Sequence, residues 1–424
     1  MIKNDTGRFL SDDQKRTIAD FTSLNLSEPV LRAVSAEGYT TPTPIQALSI
    51  PIVLQGRDLM GCAQTGTGKT AAFALPILDL LNRKSISGPR RIRALVLSPT
   101  RELAIQIHDA FRAYGRYTRL HAAAIYGGVN QNSQTRQLRQ GVEIVVATPG
   151  RLLDLMSQGF IDLRHVEAFV LDEADRMFDM GFIHDVRRVV ASLPAKRQNL
   201  MFSATIPDEI KRLAAAILTD PVTANVSPTS ARADQIEQSV YFVDKAGKPE
   251  LLCRILDEEA YTRALVFTRT KHGADRLVRQ LVRTGIPAEA IHGNKTQGAR
   301  QKALENFRSR RTPVLVATDV AARGLDIDEV SHVFNFDLPS EPETYVHRIG
   351  RTARAGASGV ALSFCDFDER VQLFAIEKLM RERIPVMKDG VRETVDPEAF
   401  TPVRPAAPLA YRTPKSRRGF RRSR

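Results

Sequence analysis

The stretch Ala63-Gln64-Thr65-Gly66-Thr67-Gly68-Lys69-Thr70 follows a short apolar run, Asp58–Cys62, and precedes a helical run, Ala71–Leu75. A glycine-rich turn between a strand and a helix is the setting of a phosphate-binding loop. Its glycines let backbone N–H groups approach phosphate oxygens, and the helix N-terminus adds positive potential. The pattern predicts that Lys69 reaches the β and γ phosphates of a nucleotide and that the Thr70 hydroxyl ligates Mg²⁺. A glycine-rich turn with a solvated lysine is the alternative, and the strand–helix context argues against it.

Similar apolar, β-branched runs recur along the chain and alternate with helix-length amphipathic segments. This alternation predicts mostly parallel sheets covered by helices. It is interrupted around 220–234 by a stretch rich in Pro, Ser, Thr and Ala, which is typical of a linker. We therefore predict two α/β domains. The predicted strands are Asp58–Cys62, Ala94–Ser98, Glu143–Ala147, Ala168–Asp172 and Asn199–Phe202 in the first domain, and Ala264–Thr268, Val314–Thr318, His332–Phe336 and Val360–Phe364 in the second.

Length and composition agree with this organisation. The chain has 424 residues, enough for two or three domains of roughly 100 to 200 residues each. With 43% hydrophobic and 26% charged residues, neither general disorder nor a membrane protein is expected. We predict an N-terminal extension over 1–20, a first domain over 21–220, a linker over 221–234, a second domain over 235–390 and a disordered basic tail over 391–424.

The net charge of +13 favours a polyanionic partner, but it is unevenly distributed. Eight basic residues and no acidic ones fall within the last 24 positions, whereas the other 400 residues carry 53 basic and 48 acidic side chains. The tail is therefore interpreted as a flexible electrostatic tether, with a solvated basic end of no function as the alternative.

Three well-separated cysteines, Cys62, Cys253 and Cys365, indicate neither a disulfide framework nor a zinc site. Residues 1–20 lack the apolar core of a secretory signal, and no stretch approaches the roughly 18 apolar residues of a spanning helix. We expect a cytoplasmic protein with no membrane partner.

A carboxylate pair completes the predicted nucleotide site. Asp172 and Glu173 follow the predicted strand Ala168–Asp172, where a nucleotide-binding fold places its metal ligand. Asp172 is the predicted Mg²⁺ ligand, and Glu173 is suited to polarise a water against the γ phosphate. The alternative is that Asp172 only caps a helix. The pair favours hydrolysis of ATP over storage of a nucleotide.

These residues, with several motifs in sequence order, resemble the DEAD-box RNA helicases of superfamily 2. The resemblance covers about residues 21–390 and implies two tandem RecA-like domains; around 194–199 and 292–297 it is most similar to the bacterial RNA helicase E-like subgroup. The further matching motifs are Gly38-Tyr39-Thr40-Thr41-Pro42-Thr43-Pro44-Ile45-Gln46, Pro99-Thr100-Arg101-Glu102-Leu103, Gly127-Gly128, Thr148-Pro149-Gly150-Arg151, Ser203-Ala204-Thr205, Val266-Phe267-Thr268, Ala317-Thr318-Asp319 through Arg323-Gly324-Leu325-Asp326, and His347-Arg348-Ile349-Gly350-Arg351.

The resemblance implies roles for residues around ATP. Gln46 would read the adenine edge, Phe21 would stack on the base, and Asp326 would contact the ribose. Arg351 and Arg354 would neutralise the γ phosphate from the second domain, which ties catalysis to domain closure. The expected nucleotide-binding residues are Phe21, Gln46, Ala63, Gln64, Thr65, Gly66, Thr67, Gly68, Lys69, Thr70 and Asp326.

The last motif departs from the family pattern at one position. Ala353 stands where many members have glycine, while both arginines are retained.

The resemblance also implies an RNA site that spans both domains. Binding would run through phosphates and 2′-OH groups and would be salt-dependent and nearly independent of sequence. Ser203, Thr205 and His347 would couple this site to ATP; the alternatives are helix capping for the hydroxyls and a buried core position for His347. The expected RNA contacts are Thr100, Arg101, Gly128, Thr148, Gly150, Arg151, Thr268, Arg269, Asn294, Arg300 and Thr318.

The favoured hypothesis is an ATP-dependent RNA helicase that locally separates short duplexes or remodels RNA–protein complexes, with ribosomal or RNA-decay complexes as possible partners. Two alternatives stand beside it: an ATP-gated RNA clamp in which hydrolysis is a release timer, and a processive DNA translocase. The Gln46 motif and the Asp172–Asp175 tetrad disfavour the translocase. The oligomeric state is left open.

Overall fold

The structure is a computed structural model that describes residues 20–63, 66–84, 88–226, 236–322, 330–353, 359–388 and 391–393. Within these segments no helix is both long and apolar enough to cross a lipid bilayer.

The first domain is built on a parallel sheet of seven strands in the order β3-β4-β2-β5-β6-β1-β7. Along β2, Leu95 and Leu97 pack on one face of the sheet and Val96 on the other, so both faces are buried. All strands run in one direction, so their carboxyl ends meet at one edge. The strands are β1 Leu59–Cys62, β2 Ala94–Leu97, β3 Ala122–Ile125, β4 Ile144–Ala147, β5 Ala168–Leu171, β6 Gln198–Ser203 and β7 Val222–Asn225.

Nine helices of the described residues cover this sheet. Local chemistry fixes several of their starts: Thr100 Oγ1 accepts a hydrogen bond from the Leu103 N–H at 3.3 Å, which caps the helix at Arg101. The helices are α1 Glu28–Ala36, α2 Pro44–Leu54, α3 Lys69–Arg83, α4 Arg101–Tyr114, α5 Asn132–Gln140, α6 Pro149–Ser157, α7 Ala174–Asp179, α8 Ile183–Ala191 and α9 Asp208–Ile217.

The second domain has a sheet of eight strands in the order β10-β11-β9-β12-β13-β8-β14-β15. It is parallel except for the antiparallel pair at its edge, β14 and β15. The strands are β8 Ile236–Phe242, β9 Ala264–Phe267, β10 Ala288–Ile291, β11 Val314–Ala317, β12 His332–Asn335, β13 Gly359–Cys365, β14 Val386–Lys388 and β15 Val391–Glu393. Its helices are α10 Lys248–Glu258, α11 Lys271–Arg283, α12 Gln297–Arg308, α13 Asp319–Ala322, α14 Pro342–Ile349 and α15 Arg370–Met380.

The predicted α/β class, the parallel sheets and the tandem arrangement of two such domains are confirmed. Two predicted boundaries are wrong. The linker was expected to begin at 221, but Val222–Asn225 pairs with β1 and extends the first sheet, because its backbone completes the ladder at that edge. The tail was expected to begin at 391, but Val391–Glu393 pairs with β14. The remaining linker and tail residues, 227–235 and 394–424, lie outside the described residues.

Candidate ATP and RNA site

The phosphate loop joins β1 to α3 at the carboxyl edge of the first sheet. Gly68 takes the left-handed conformation (φ +88°) and Lys69 opens the 15-residue helix α3. The Lys69 side chain is only 6% exposed, and its Nζ has no hydrogen-bond partner among the described residues. A buried ammonium without a partner is costly, which fits a position meant to meet an anion. Gln64 and Thr65 lie outside the described residues.

Gln46 contacts the loop directly. Its Oε1 accepts from the Thr43 N–H at 2.9 Å and its Nε2 donates to the Gly68 carbonyl at 3.1 Å. A Cβ on Gly68 would lie 2.4 Å from that Nε2, so a larger residue would strain the backbone at this positive φ and displace the Gln46 amide. This arrangement orients the Gln46 amide and links it to the loop. Phe21, by contrast, is 4% exposed within the core, which leaves little of its ring available to stack on a base.

The carboxylate pair lies at the end of β5. Burial raises the pKa of Asp172 to about 7, the Lys69 ammonium opposes this rise, and the Glu173 carboxylate adds to it. Glu173 is 3% exposed, takes the uncommon φ of +52°, and forms an ion pair with Arg176. A non-glycine residue in that conformation is held there by its surroundings, as is common at functional sites.

The donor set fits Mg²⁺ held together with phosphates. Asp172 is a buried carboxylate at the end of β5, and the Thr70 hydroxyl lies in the first turn of α3. Within the described segments, no group of three or more His, Cys, Asp or Glu could hold a metal by itself. Mg²⁺ commonly takes one or two protein oxygens, with phosphates and water completing its shell. The protein therefore supplies part of a Mg²⁺ site and leaves the rest to a nucleotide.

Asp175 binds the Ser203–Thr205 segment and was not among the predicted site residues. Its Oδ2 accepts from the Ala204 N–H at 3.1 Å, the Thr205 N–H at 2.9 Å and the Thr205 hydroxyl at 3.0 Å. The Ser203 hydroxyl accepts in turn from the Asp175 N–H at 3.2 Å. The two hydroxyls therefore join the end of β6 to the start of α7, two residues from Glu173.

The second domain contributes α14 and the turn that follows it. Arg351 is 7% exposed in this turn, whereas Arg354 and Asp326 lie outside the described residues. His347 lies on the exposed side of α14, so the alternative of a buried core histidine is wrong. Ala353 takes φ +54°, a conformation that glycine adopts at little cost, which explains why glycine suits this position in the family.

Arg348 has a structural role that was not predicted from the sequence. It is 2% exposed and donates to both Asp319 oxygens at 2.6 and 2.8 Å, and to the Asn335 side chain at 3.1 Å. Its guanidinium also lies 4.9 Å from the Phe267 ring centroid. Arg348 thereby ties α14 to α13 and to the ends of β9 and β12. Its position within the motif His347–Arg351 could have indicated this role.

The predicted RNA contacts of the first domain cluster beyond β2, β3 and β4. Arg101 lies over Gly128, where a Cβ would approach its Nη1 to 1.9 Å, and Gly128 takes φ +79°. Gly150 has neither constraint. Arg151 Nη2 donates to the Val129 carbonyl at 3.4 Å, while its buried Nη1 has no partner among the described residues. Thr100 and Thr148 are buried at the starts of α4 and α6.

The predicted contacts of the second domain are partly engaged within the protein. Arg269 donates to Glu369 at 2.6 Å, and Asn294 accepts from Lys271 at 3.1 Å. Thr268 is buried at the end of β9, and Thr318, partly exposed, follows β11.

A contact between the domains crosses this surface. Glu102 on α4 is 4% exposed; its Oε1 accepts from Gln297 Nε2 at 2.9 Å and pairs with Arg300 Nη2 at 3.0 Å, both on α12. Burial lowers the pKa of Arg300, and the Glu102 carboxylate opposes that change. The two predicted halves of the RNA surface therefore meet directly at this contact.

Comparison with known proteins agrees with this geometry. The chain is 44% identical over 368 residues to the DEAD-box ATP-dependent RNA helicase CshA of Geobacillus kaustophilus (strain HTA426), covering 87% of this chain and 78% of that protein. The chain belongs to the DEAD-box helicase family. Within it, the family model for the DEAD/DEAH box helicase matches residues 43–213, and that for the helicase conserved C-terminal domain matches 247–356.

Two further proteins extend the comparison. The ATP-dependent RNA helicase CshA of Limosilactobacillus reuteri is 42% identical, over 90% of this chain and 75% of that protein. The structure of S. cerevisiae Dbp5 bound to RNA and ADP BeF3 superposes with a TM-score of 0.77 at 32% identity, covering 87% of this chain and 95% of that one.

Proposed function

We propose that the protein is an ATP-dependent RNA helicase, which locally separates short RNA duplexes or remodels RNA–protein complexes. RNA-stimulated ATP hydrolysis is coupled to closure of its two domains. The contact of Glu102 with Gln297 and Arg300 carries this proposal, because it joins the two halves of the RNA surface and exists only when the domains are together. A ligand that prefers this closed arrangement shifts the protein toward it.

Residues of the first domain have separate roles in ATP binding and hydrolysis. Lys69 binds the β and γ phosphates, while Thr70 and Asp172 hold Mg²⁺. When bound, the metal neutralises charge on the phosphates. Glu173 orients and polarises the attacking water, and Gln46 reads adenine while it contacts the loop through Gly68. The strongest support for this assignment is the buried Lys69 ammonium, whose Nζ has no hydrogen-bond partner in the described segments.

Residues of the second domain complete the site on closure. Arg351 and Arg354 neutralise charge that develops on the γ phosphate, and Asp326 contacts the ribose. Ser203 and Thr205, which are hydrogen-bonded to Asp175, couple the ATP site to the RNA site together with His347. Hydrolysis and phosphate release then weaken the closed state.

RNA binds across both domains through its backbone. Arg101 and Arg151 supply positive charge from the first domain. Arg269 and Arg300 do so from the second, where they also pair with Glu369 and Glu102. The remaining predicted contacts supply hydroxyls, an amide and close backbone approach. Because binding runs through phosphates, affinity falls with salt. Because base edges are largely unread, affinity depends little on sequence.

Several narrower assignments belong to the same proposal. The protein acts in the cytoplasm, and ribosomal or RNA-decay complexes are its candidate partners. Membership of the bacterial RNA helicase E-like subgroup rests on the segments around 194–199 and 292–297, whereas the relatives described above are named CshA. The tail, 394–424, is proposed to raise the local RNA concentration as a flexible tether.

Strand displacement tests the proposal. With Mg²⁺ and ATP, the full chain should separate many equivalents of a short RNA duplex that carries a single-stranded overhang. A non-hydrolysable ATP analogue should not support this repeated separation. A DNA duplex of matched sequence serves as the control and should be a poor substrate. Tight ATP-dependent RNA binding without displacement would identify a clamp instead, and equal use of DNA would favour a translocase.

A further inference from the structure

A second concave surface lies at the other edge of the first sheet. It is a cleft of about 760 Å³ between the end of α3, the segment before β2, the turn before β3 and the end of α5. All of its lining residues fall between 81 and 143, within the first domain. The ATP and RNA motifs follow the carboxyl ends of the strands, whereas this cleft adjoins the amino ends. Along β2 alone, the two edges are separated by about 13 Å.

The cleft is strongly basic although the chain outside its tail is nearly neutral. Six cationic side chains line it, and they share two acidic partners: Arg90 pairs with Glu143 at 3.2 Å, while Arg93 and Lys84 share Glu167 at 2.5 and 3.6 Å. The six cations are Lys84, Arg90, Arg91, Arg93, Arg119 and Arg139.

The six cations therefore exceed their acidic partners by four charges: three arginines have no acidic partner among the described residues, and Arg93 and Lys84 share one. In the described part of the chain, no carboxylate lies within ion-pairing distance of Arg91, Arg119 or Arg139. The nearest polar partner of Arg91 is the His165 ring at 3.5 Å, and Arg139 lies over the Phe160 ring at 5.3 Å. Like charges held around one concavity repel one another, so the arrangement favours a bound polyanion.

One buried group in the cleft is also incompletely satisfied. Arg93 is 4% exposed; its Nε and Nη1 donate to Glu167, to the Leu81 carbonyl at 3.0 Å and to the Lys84 carbonyl at 3.1 Å. Its Nη2 has no hydrogen-bond partner among the described residues. Native proteins rarely leave a buried guanidinium nitrogen without an acceptor, so an external acceptor is expected here.

The side chains favour a nucleic acid over an acidic protein segment. Five of the six cations are arginines, whose planar forks match phosphate oxygens in a bidentate manner. Tyr117 is 38% exposed at the cleft, and the Arg32 guanidinium lies 4.2 Å from its ring centroid. An exposed aromatic ring among cations suits a base that stacks while its backbone phosphates are neutralised.

We propose that this basic cleft is a second RNA-docking site, which binds the sugar–phosphate backbone independently of ATP. The proposal rests on the proposed function only in taking RNA as the polyanion. Since every lining residue belongs to the first domain, domain closure does not assemble or disrupt the site, and nucleotide should not change its affinity. A long RNA could remain attached here while the ATP-gated site releases and rebinds another part of the same strand.

Charge reversal in the full-length chain tests the proposal. The cleft variant carries Arg91→Glu, Arg119→Glu and Arg139→Glu; the matched control carries Arg254→Glu, Arg276→Glu and Arg279→Glu, three exposed arginines of α10 and α11. For a long single-stranded RNA without nucleotide, the cleft variant should bind at least about tenfold more weakly than the control. The slope of log affinity against log salt should also be flatter by about two for the cleft variant, because each of the three lost phosphate contacts contributes roughly 0.7 to that slope.

Further readouts separate docking from the ATP-gated site. The same fold-loss is expected with a non-hydrolysable ATP analogue, and ATP turnover at saturating RNA should match the control. Equal RNA affinities for the cleft variant and the control would overturn the proposal. Binding of poly-glutamate at the cleft without any change in RNA affinity would also overturn it, because that result would assign the cleft to an acidic protein segment.

Cross-linking gives a test that does not depend on a folded variant. RNA carrying 4-thiouridine should cross-link to wild-type peptides that contain Tyr117, both with and without nucleotide; absence of that cross-link contradicts the proposal. If RNA failed to stimulate ATP hydrolysis but the cross-link and the affinity difference persisted, the helicase function would fail while the docking site stood.

Discussion

Glu173 is the residue whose chemistry most directly separates binding from hydrolysis. Glu173→Gln keeps the shape of the side chain but removes the carboxylate that polarises water, so turnover should fall by about 10²- to 10⁴-fold. ATP and RNA binding should persist, which leaves a long-lived complex. Single-turnover hydrolysis and RNA affinity with ATP are the measurements, with the surface change Glu209→Gln as control. Loss of ATP and RNA binding would show that Glu173 is misassigned.

Ala353 makes a different residue-scale prediction, about stability. In the left-handed region an L-residue is strained by roughly 1 kcal/mol, which glycine avoids. Ala353→Gly should therefore stabilise the second domain by up to about 1 kcal/mol, seen as a higher unfolding midpoint. The control change Ala216→Gly, at an exposed position in the last turn of α9 in the first domain, should instead destabilise that domain, by at most about 0.5 to 1 kcal/mol. A lower midpoint for Ala353→Gly would contradict the account of this turn.

At the scale of elements, a buried ion-pair network joins four segments of the second domain. Lys248 at the start of α10 is fully buried and pairs with Glu369, which also accepts from Arg269 after β9 and from the Leu338 N–H at 3.1 Å. The carboxylates of Asp337 and Asp366 lie further from the Lys248 ammonium, at 3.8 and 3.7 Å, so Glu369 is its nearest counterion.

Glu369→Gln should therefore destabilise the second domain by about 1.5 to 3 kcal/mol, because Lys248 loses its nearest counterion and keeps only the more distant carboxylates of Asp337 and Asp366. Urea unfolding provides the measurement. Glu250→Gln, an exposed glutamate of α10, is the control and should change stability by less than about 0.5 kcal/mol. Equal effects of the two substitutions would mean that the network contributes little to the stability of the domain.

The elements predicted from the sequence were those with a strong local signal. Continuous apolar runs such as β2 and β11 were located within a residue, because a strand buried on both faces needs no polar alternation. The strands β3 and β10 were missed: Ala122–Ile125 begins with three alanines, and Ala288–Ile291 contains a glutamate. Pairing with β4 and β11 makes them strands, and pairing is a tertiary property.

The same distinction holds for the site. The phosphate loop and the carboxylate pair are contiguous motifs, so their positions could be predicted. The bonds from Asp175 to Thr205 span 30 residues, and the bond from Gln297 to Glu102 spans 195. Neither follows from local spacing, because each depends on how whole elements pack.

At the scale of the whole molecule, the Glu102 contact should help to set the closed population. Glu102→Gln weakens a buried, charge-assisted interaction worth about 1.5 to 3 kcal/mol, so closure in the presence of RNA and an ATP analogue should become roughly tenfold less favourable. Energy transfer between dyes on the two domains measures this equilibrium. Asp109→Asn, an exposed change on the same helix, is the control. An unchanged closed fraction would remove this contact from the closure mechanism.

Closure links the two ligands of the molecule. If ATP and RNA both bind the closed arrangement better, each must raise the affinity for the other by the same factor, and RNA should accelerate hydrolysis by completing the catalytic site.

The ATPase rate of the purified full chain, with and without single-stranded RNA, tests this most directly. RNA should raise the rate severalfold or more, DNA of matched sequence should do so far less, and Glu173→Gln should abolish the activity in every condition. Hydrolysis that is equally fast with and without RNA would contradict the coupling of ATP, RNA and domain closure.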